Sequence, residues 1–425
     1  GMFNNKRIYI LSGLMIFVFM ICLAFVFRAN IEDAYYIHMA KNDGQKLFLR
    51  AWALTKEEYY DKTLNHQEWS YWRKRYVPNI KTMDDSYIAI DSMLESLDDP
   101  YTRFMNPYDF EDQNINIDAK VYGIGINISD IGGRTVIVNV IDDTPASKAK
   151  LEKGDIILKI NDKDVKGFKL RDVAQLVRGP VGTKVKLELQ RDEEKLTKTI
   201  VRNEIKIKTV SHDIIEKENI AHITITSFLS EELPEEFIQA LYATEDTKGL
   251  ILDLRGNTGG LLPNAVVLAN MFLDNGTIVS IVDRNGKKND IKAVENNFYI
   301  SKPTVILINE GSASASEIFS GAMKDYHKAE LIGEKTFGKG LVQKVEKLPY
   351  KAGMNITIAK YLTPSGADIN KIGITPDFEV EYTKEDYIKN RDPQLDKAIA
   401  VINNKVRLAT IYKKMFSEDM EPIHP

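Results

Sequence analysis

Three serines alternate with alanines in the segment GSASASEIFSGAMKDY, residues 311–326. An apolar run precedes them and a helical pattern follows, so Ser314 would lie where a strand passes into a helix. The backbone N–H groups at a helix N-terminus stabilise a developing negative charge, which suits a nucleophilic hydroxyl. The spacing Ser314-x-x-Glu317 also fits a capping box, which is a purely structural use of the same serine. The local sequence leaves both interpretations open.

A lysine between two glycines is the second candidate. Lys339 lies in IGEKTFGKG, residues 332–340, which matches the opening of a phosphate-binding loop. Such a loop continues with Ser or Thr for magnesium, whereas Gly340 follows here, so nucleotide binding is disfavoured. The lysine could be an exposed turn residue. If it is instead desolvated, its pKa falls, and the neutral amine can take a proton from a serine hydroxyl.

Other bases and metal sites fit the sequence less well. None of the six histidines lies in an H-E-x-x-H helix, and no G-x-S-x-G elbow occurs. The only cysteine, Cys22, lies inside an apolar N-terminal run, which excludes a disulfide scaffold and a cysteine-ligated zinc site and disfavours a cysteine nucleophile. A Ser–Lys pair is the favoured chemistry, and it needs no metal and no cofactor.

Two glycine-containing loops could supply backbone amides. One is the segment LILDLRGNTGG, residues 250–260, whose apolar start predicts a buried strand and whose end contains a glycine pair. Gly259 or Gly260 could turn an N–H toward a substrate carbonyl, beside the N–H of Ala315, although an ordinary strand-to-helix turn explains the glycines equally well. YGIGI, residues 122–126, lacks the third glycine of a dinucleotide site and could capture a peptide carboxylate, with the next strand pairing the peptide at a sheet edge.

The elements that must position these residues follow from the periodicity. Apolar spacings of three and four predict helices over about 30–106. Short β-rich runs then predict a small β domain with two helices, near 146–151 and 170–177. From about residue 205 strands alternate with helices, which predicts an α/β domain, and a helical tail follows residue 384. The chain has 425 residues, 44% of them hydrophobic, and a net charge of -4, so it is globular and lacks the basic surface of a nucleic-acid binder.

The apolar N-terminal run, residues 8–27, is as long as a helix that spans a bilayer. Lys6 and Arg7 precede it, which favours a cytoplasmic N-terminus and an exported remainder. A cleaved signal peptide and a lipoprotein anchored through Cys22 are alternatives. The run is longer than the usual apolar region of a signal peptide, and Ile21 stands where a lipoprotein needs a small residue. We expect a single-pass membrane anchor with the bulk of the chain extracytoplasmic, or periplasmic in a Gram-negative cell.

Together the motifs resemble those of the carboxyl-terminal processing peptidases, also called tail-specific proteases. The matching stretches are DPYTRF (99–104), YGIGI, TPASKAKLEKGDIILKINDKDVKG, LILDLRGNTGG, INEGSASASEIFSGA, IGEKTFGKGLVQ and YLTPSGADINKIGITPD (361–377). The resemblance implies that Ser314 is the nucleophile, Lys339 the general base and Gln343 the residue that orients the lysine. Asp325 matches a position that supports activity in some members. Thr258 stands where the family often has proline.

The resemblance also implies a fold and a partner. The fold would be an α/β catalytic core of mixed sheet and helices, crotonase- or ClpP-like, with a PDZ-like β domain, an N-terminal helical region and a transmembrane anchor. The PDZ-like domain would bind unstructured C-terminal tails of exported proteins. Arg178, at the end of its second helix, could link the bound tail to the active site or could equally be a solvated cation at a helix end. The peptide-binding residues would be Tyr122, Gly123, Ile124, Gly125, Ile126 and Arg178.

These expectations give a domain order and a function. The predicted order is a cytoplasmic N-terminus (1–7), a transmembrane anchor (8–27), an N-terminal helical domain (28–112), a PDZ-like domain (113–203), a serine peptidase core (204–384) and a C-terminal helical tail (385–425). We expect a serine endopeptidase of the C-terminal processing type. A catalytically dead, anchored PDZ scaffold is the alternative, and the intact Ser–Lys–Gln set argues against it. A homo-oligomer or an adaptor is left open.

Overall fold

Residues 35–36, 38–117, 120–206, 208–296 and 298–418 are described by a computed structural model. The predicted membrane anchor, residues 8–27, lies outside these ranges. No helix within the described ranges is long and apolar enough to span a bilayer. The chain divides into two compact units, each assembled from three segments. Unit 1 comprises Gly1–Glu111, Val279–Ile291 and Gly340–Asn370, and unit 2 comprises Asp112–Ile278, Lys292–Lys339 and Lys371–Pro425.

The described helices are α1 Asp43–Glu58, α2 Ser70–Tyr76, α3 Met83–Glu95, α4 Pro107–Ile117, α5 Pro145–Lys148, α6 Leu170–Val177, α7 Leu233–Ala243, α8 Leu262–Asn270, α9 Ala315–Asp325, α10 Lys384–Ile388 and α11 Pro393–Glu418. The described strands are β1 Arg103–Met105, β2 Lys120–Gly123, β3 Ile126–Ile131, β4 Arg134–Val140, β5 Ile156–Ile160, β6 Lys163–Asp164, β7 Lys184–Arg191, β8 Glu194–Val201, β9 Asn203–Lys206, β10 Val210–Ile215, β11 Ile220–Ile225, β12 Gly249–Asp253, β13 Thr277–Asp283, β14 Lys288–Lys292, β15 Thr304–Ile308, β16 Ala329–Gly333, β17 Leu341–Lys347, β18 Gly353–Leu362 and β19 Phe378–Glu379.

In unit 1, helices α1 and α3 pack on a sheet with the strand order β1-β18-β13-β14, and β17 also pairs with β18. The apolar positions predicted from the sequence form this core: Phe48 and Met93 are fully buried from the helices, and Met354 is fully buried from β18. Local signals set the helix ends, because Thr82 and Asp85 form a capping box at the start of α3. The predicted helices are confirmed by α1, α2 and α3, whereas Arg103–Met105, at the end of the region predicted to be helical, form strand β1.

The first part of unit 2 is a small antiparallel β domain. Its main sheet has the order β3-β4-β5-β7-β8, with β6 on β5, and β2 pairs separately with β9. Helix α6 covers the sheet with Val173 and Val177, which pack among the buried aliphatic residues of the strands. The predicted helix at 170–177 is confirmed, whereas the one at 146–151 is only a short turn of helix, α5.

The rest of unit 2 has the alternating strands and helices that the sequence predicts from about residue 205, whereas residues 279–291 and 340–370 of the predicted α/β domain belong to unit 1. The sheet in this part of unit 2 has the order β10-β11-β12-β15-β16-β19, in which β10 is antiparallel and the other pairs are parallel. Strands β12 and β15 are buried along their whole length, as central parallel strands covered on both faces usually are. Helix α11 covers one face through Ala398 and Ile402. Because β12 and β15 are parallel neighbours, the loops that follow them leave the sheet at the same edge.

Candidate active site and peptide-binding groove

The loops after β12 and β15 are joined by buried serines. The Ser312 hydroxyl donates to the carbonyl of Leu254 at 2.8 Å, and the Ser316 hydroxyl donates to the carbonyl of Asn257 at 2.8 Å. Both serines are fully buried. The backbone N–H of Ala313 also donates to the carbonyl of Asn257, at 3.0 Å. The outer serines of SASAS therefore have a structural role, which distinguishes them from the middle one.

Ser314 is the partly exposed serine of the three and the residue that precedes α9. Its backbone has φ 57° and ψ -116°, a conformation that a side chain other than glycine adopts rarely and at a cost of about 1–3 kcal/mol. Strain of this kind is typical of a nucleophile held on a sharp strand-to-helix turn. The first N–H groups of α9, beginning with that of Ala315, lack intrahelical acceptors and lie beside it.

A buried carboxylate connects the serine turn to the lysine loop. Glu317, fully buried in the first turn of α9, accepts a hydrogen bond from the backbone N–H of Ser314 at Oε2, 2.9 Å. The backbone N–H of Lys339 donates to the same oxygen, also at 2.9 Å. The two amide nitrogens are therefore at most about 6 Å apart. The capping box predicted from the sequence is present in this bond, and it coexists with a role in the site.

The other carboxylate oxygen of Glu317 is satisfied by the same loop. Oε1 accepts from the Thr336 hydroxyl at 2.6 Å and from the backbone N–H of Gly338 at 2.7 Å. A buried charge is tolerated only when it is well hydrogen-bonded, and four donors together with a helix N-terminus meet that requirement. Sequence reasoning missed Glu317 and Thr336 as site residues, and the only available signal was an acidic residue in an otherwise small and apolar first turn.

The lysine loop, residues 334–339, is fixed from a second side. The backbone N–H of Thr336 donates to the carbonyl of Ile374 at 3.1 Å, and the N–H of Ile374 donates to the Thr336 hydroxyl at 2.6 Å. The backbone N–H of Phe337 donates to the carbonyl of Ser312 at 3.0 Å. A phosphate-binding loop leads into a helix, whereas β17 follows here, so the nucleotide-binding alternative is wrong. Lys339 is half-buried, which also disfavours a fully exposed turn lysine.

The glycine pair lies against the serine turn. Gly259 has φ +97°, and a Cβ there would come within 2.8 Å of the Cβ of Ser314 and of the amide nitrogen of Ala315. Only glycine permits so close an approach. The N–H of Gly259 already donates to Oδ1 of the buried Asn257 at 2.9 Å. Of the two glycines, Gly260 is therefore the better candidate for an oxyanion amide.

Asp325 and Gln343 are the other two residues that the sequence predicts to be catalytic. Asp325 is the last residue of α9, about 15 Å along the helix from its first residue, so the structure does not bring it to Ser314. Gln343 lies on β17 in unit 1, where its Nε2 donates to the hydroxyl of Thr357 at 3.2 Å. Thr357 in turn donates its hydroxyl to the buried carboxylate of Asp99 at 2.7 Å, and sequence reasoning assigned no role to either residue.

A second buried ionic group follows β12. Asp253 accepts from Arg255, at 2.7 Å to Oδ2, and lies 3.2 Å from Nε2 of His222. Burial opposes ionisation of Asp253, but the hydrogen bonds from His222 and Arg255 outweigh it and lower its pKa to about 2. Asp392, at the start of α11, pairs with the same guanidinium at 2.9 Å. This group ties the C-terminal helix to the strand that leads into the glycine loop.

The β domain carries a groove of about 250 Å³ between β3 and α6. Four of the predicted peptide-binding residues line it at the loop, and Arg178 lines it at the end of α6; Tyr122 is not among its lining residues. The loop residues that line the groove are Gly123, Ile124, Gly125 and Ile126. An apolar groove with loop amides at one end and a cation nearby suits an extended peptide that ends in a carboxylate.

The described residues of this corner include groups suited to nucleophilic chemistry. Among the residues the structure describes, no group of His, Cys, Asp or Glu side chains could hold a metal ion. What the geometry brings together is a hydroxyl on a strained turn, a lysine loop fixed to that turn and a glycine-lined approach. Such an arrangement can perform nucleophilic attack on a carbonyl.

Comparison with known proteins gives two family matches along the chain. Residues 219–380 match peptidase family S41, and residues 136–191 match the PDZ domain. A carboxyl-terminal-processing protease of Synechocystis is 36% identical over 84% of this chain and 85% of its own length. The carboxy-terminal processing protease CtpA of Bacillus subtilis is 40% identical over 72% of this chain and 67% of its own length.

A solved structure gives the same result. The photosystem II D1 C-terminal processing protease is 32% identical, with a TM-score of 0.55 over 80% of this chain and 94% of that protein. The chain therefore belongs to the carboxyl-terminal-processing proteases of peptidase family S41, serine-type enzymes that here include a PDZ domain.

Proposed function

We propose that this peptidase uses Ser314 as its nucleophile and Lys339 as its general base to cleave exported proteins, which it recognises by their C-terminal tails. The observation that carries the proposal is the shared oxygen of Glu317, which accepts from the backbone N–H groups of both residues. It couples the serine turn and the lysine loop in one rigid corner. Gln343 orients the lysine amine in this scheme, as the family resemblance implies.

The reaction is amide hydrolysis through an acyl-enzyme. Neutral Lys339 takes the proton of the Ser314 hydroxyl as Oγ bonds to the scissile carbonyl carbon. The N–H groups of Ala315 and Gly260 stabilise the oxyanion. The lysine then gives its proton to the leaving nitrogen, and the C–N bond breaks. Finally the lysine takes a proton from the water that attacks the ester carbonyl and gives it to Ser314 Oγ as the C–O bond breaks, which releases the new carboxylic acid and restores the serine. The rate falls in acid, because protonation removes the base.

The groove of the β domain is the proposed tail site. Loop amides from Gly123 to Ile126 receive the terminal carboxylate, and Arg178 adds a positive charge beside it. A fluorescent peptide with an apolar C-terminal tail should bind more tightly than its C-terminally amidated counterpart. Arg178→Ala should raise the Kd of the acid peptide by about tenfold and leave the Kd of the amide nearly unchanged. Equal loss for both peptides would contradict a carboxylate contact.

The proposed function is tested by proteolysis of a loosely folded substrate such as casein. The wild-type chain should degrade or trim it, with products identified by mass spectrometry. Ser314→Ala and Lys339→Ala should be inactive, while Lys335→Ala, an exposed lysine in the same loop, should behave as wild type. Near-full activity of Lys339→Ala would overturn the mechanism.

Two further features belong to the proposal. The apolar run at residues 8–27 would anchor the enzyme in the membrane, with the catalytic residues extracytoplasmic; recovery of the protein in an alkaline-washed membrane fraction tests this. A PDZ scaffold without catalysis is the second candidate function. If the protein is such a scaffold, it binds C-terminal tails, and the wild-type protein and Ser314→Ala both leave casein intact. Asp325 would affect the activity of Ser314 only from a distance. Hydrodynamic measurements test whether the enzyme forms a homo-oligomer or binds an adaptor.

A further inference from the structure

Arg202, the residue that precedes β9, is a buried arginine of the β domain that is not among the residues lining the groove. It is only 7% exposed. Its guanidinium donates to two carbonyls in the last turn of α6, those of Leu176 at 3.0 Å and Val177 at 2.8 Å. It also donates to the carbonyl of Lys184 at 2.9 Å and to the hydroxyl of Thr183 at 3.0 Å. These four acceptors are neutral, so the buried charge is stabilised by dipoles, among them the C-terminal end of a helix.

The backbone of the same residue leads to the opposite wall of the groove. Asn203, which follows Arg202 and begins β9, pairs with Gly123 of β2. Gly123 is the first residue of the loop that lines the groove. Nearby, the N–H of Gly179 donates to the carbonyl of Tyr122 on β2, at 3.3 Å. One residue therefore connects the two walls at this end of the groove, because its backbone continues into the strand beside the loop and its side chain holds the end of the helix.

Arg178 is the groove residue whose position depends on this contact. It follows α6 directly and lines the groove. Because Arg202 holds the carbonyls of the two residues before it, the guanidinium determines where the helix ends relative to the loop. The space is tight, since a Cβ at Gly179 would lie 2.8 Å from Nε of Arg202. A planar guanidinium presents several donors in fixed directions, whereas the ammonium of a lysine has a single nitrogen and cannot replace it at all four acceptors.

We propose that Arg202 is a positioning residue of the peptide site, which sets the distance between the loop at 123–126 and Arg178 and thereby the preference for a free C-terminal carboxylate. The inference rests on the proposed function, in which the loop amides and Arg178 receive that carboxylate together. A carboxylate gains from both partners only when they are correctly spaced. A C-terminal amide has no charge to place between them, so its binding depends on the shape of the groove alone.

The test compares two fluorescent peptides with the same apolar tail, one ending in a free acid and one in an amide, by anisotropy. The full-length chain carries Ser314→Ala throughout, so that neither peptide is cleaved. Arg202→Met should raise the Kd of the acid peptide about fivefold or more and change the Kd of the amide less than about twofold. Arg202→Lys keeps the charge but loses the planar group, and it should raise the Kd of the acid peptide at least about threefold. An Arg202→Met or Arg202→Lys protein that binds the acid peptide as tightly as its parent would overturn the inference.

Arg191→Met is the matched control, because it removes another arginine of the same domain that pairs with Asp155 at 2.7 Å and does not line the groove. It should leave both Kd values within about twofold of the parent. In a double-mutant cycle, Arg202→Met should add less than about a twofold loss of acid-peptide affinity in the Arg178→Ala background. An equal added loss in both backgrounds, or an equal loss for acid and amide peptides, would show a merely structural role and overturn the inference.

Two further outcomes complete the test. If Arg202→Met does not fold, Gly179→Ala decides, because its Cβ displaces the guanidinium while the charge stays. The same selective loss of acid-peptide binding is expected, and an unchanged Kd would contradict the role of Arg202. A parent protein that binds acid and amide peptides equally contradicts the proposed tail site itself. A parent protein that discriminates, and loses this with Arg178→Ala but not with Arg202→Met, retains the tail site and contradicts only the positioning role.

Discussion

The corner formed by the serine turn and the lysine loop is built differently from the groove between β3 and α6, although both belong to unit 2. In the corner, one buried carboxylate, Glu317, receives four hydrogen bonds and holds two backbone segments together. The groove is lined by glycines and aliphatic side chains, with Arg178 at the end of α6. We therefore expect the corner to depend on one buried charged group and the groove to depend on its shape.

The largest effect should come from neutralising the carboxylate of the corner. Glu317→Gln replaces an acceptor with an NH2 group that faces N–H donors, so the serine turn and the lysine loop should separate. We expect proteolysis to fall at least about a hundredfold, and the free energy of unfolding to fall by about 3 kcal/mol. Glu310→Gln, an exposed glutamate before the serine turn, is the control. Retained activity in Glu317→Gln would show that the corner does not depend on its charge.

A substitution in the groove should leave the corner intact. Gly125 has φ +89°, and a Cβ there would lie 2.4 Å from the Cβ of Thr144. Gly125→Ala should therefore raise the Kd of a labelled tail peptide about tenfold or more and destabilise the β domain by about 2 kcal/mol. Gly123→Ala meets open space at an ordinary φ and should destabilise it much less. Anisotropy and thermal unfolding measure the two quantities, and equal losses of stability would refute the steric account.

The smallest of these effects should be the acid sensitivity of the ionic group beside the corner. The pKa of Asp253 is lowered from 3.8 to about 2, so its contribution of about 2 kcal/mol is complete above pH ~4 and is lost as the pH falls toward 2. Asp253→Asn should remove this part of the pH dependence of unfolding, and the exposed Asp213→Asn should not. An unchanged acid profile in Asp253→Asn would contradict the assignment.

Elements with strong periodicity were predictable from the sequence. The pattern at residues 170–177 gave the bounds of α6, and the small-residue motif placed Ser314 at the start of α9 within one residue. The domain boundaries and the broader crotonase- or ClpP-like relationship stay predictions. Tyr122 was included in the peptide site by its place in YGIGI, whereas the groove begins one residue later.

Residues that act through burial were not predictable. Glu317 has the spacing of a capping residue, and nothing in the sequence states that its carboxylate is fully buried against a loop about twenty residues further on. Asp99 and Thr357 are separated by more than two hundred residues, so their contact depends on the packing of unit 1. Asp325 followed from family resemblance alone, and helix geometry separates it from the serine.

The proposed activation of Ser314 by Lys339 can be measured without a peptide substrate. A fluorophosphonate probe forms an Oγ–P bond with an activated serine and expels fluoride, while the base takes the hydroxyl proton. Labelling of the wild-type enzyme should accelerate as the pH rises, and Ser314→Ala should not be labelled. The account predicts that Lys339→Ala slows labelling at least about a hundredfold, with Lys335→Ala unaffected. Labelling of Lys339→Ala at the wild-type rate would contradict the Ser–Lys mechanism.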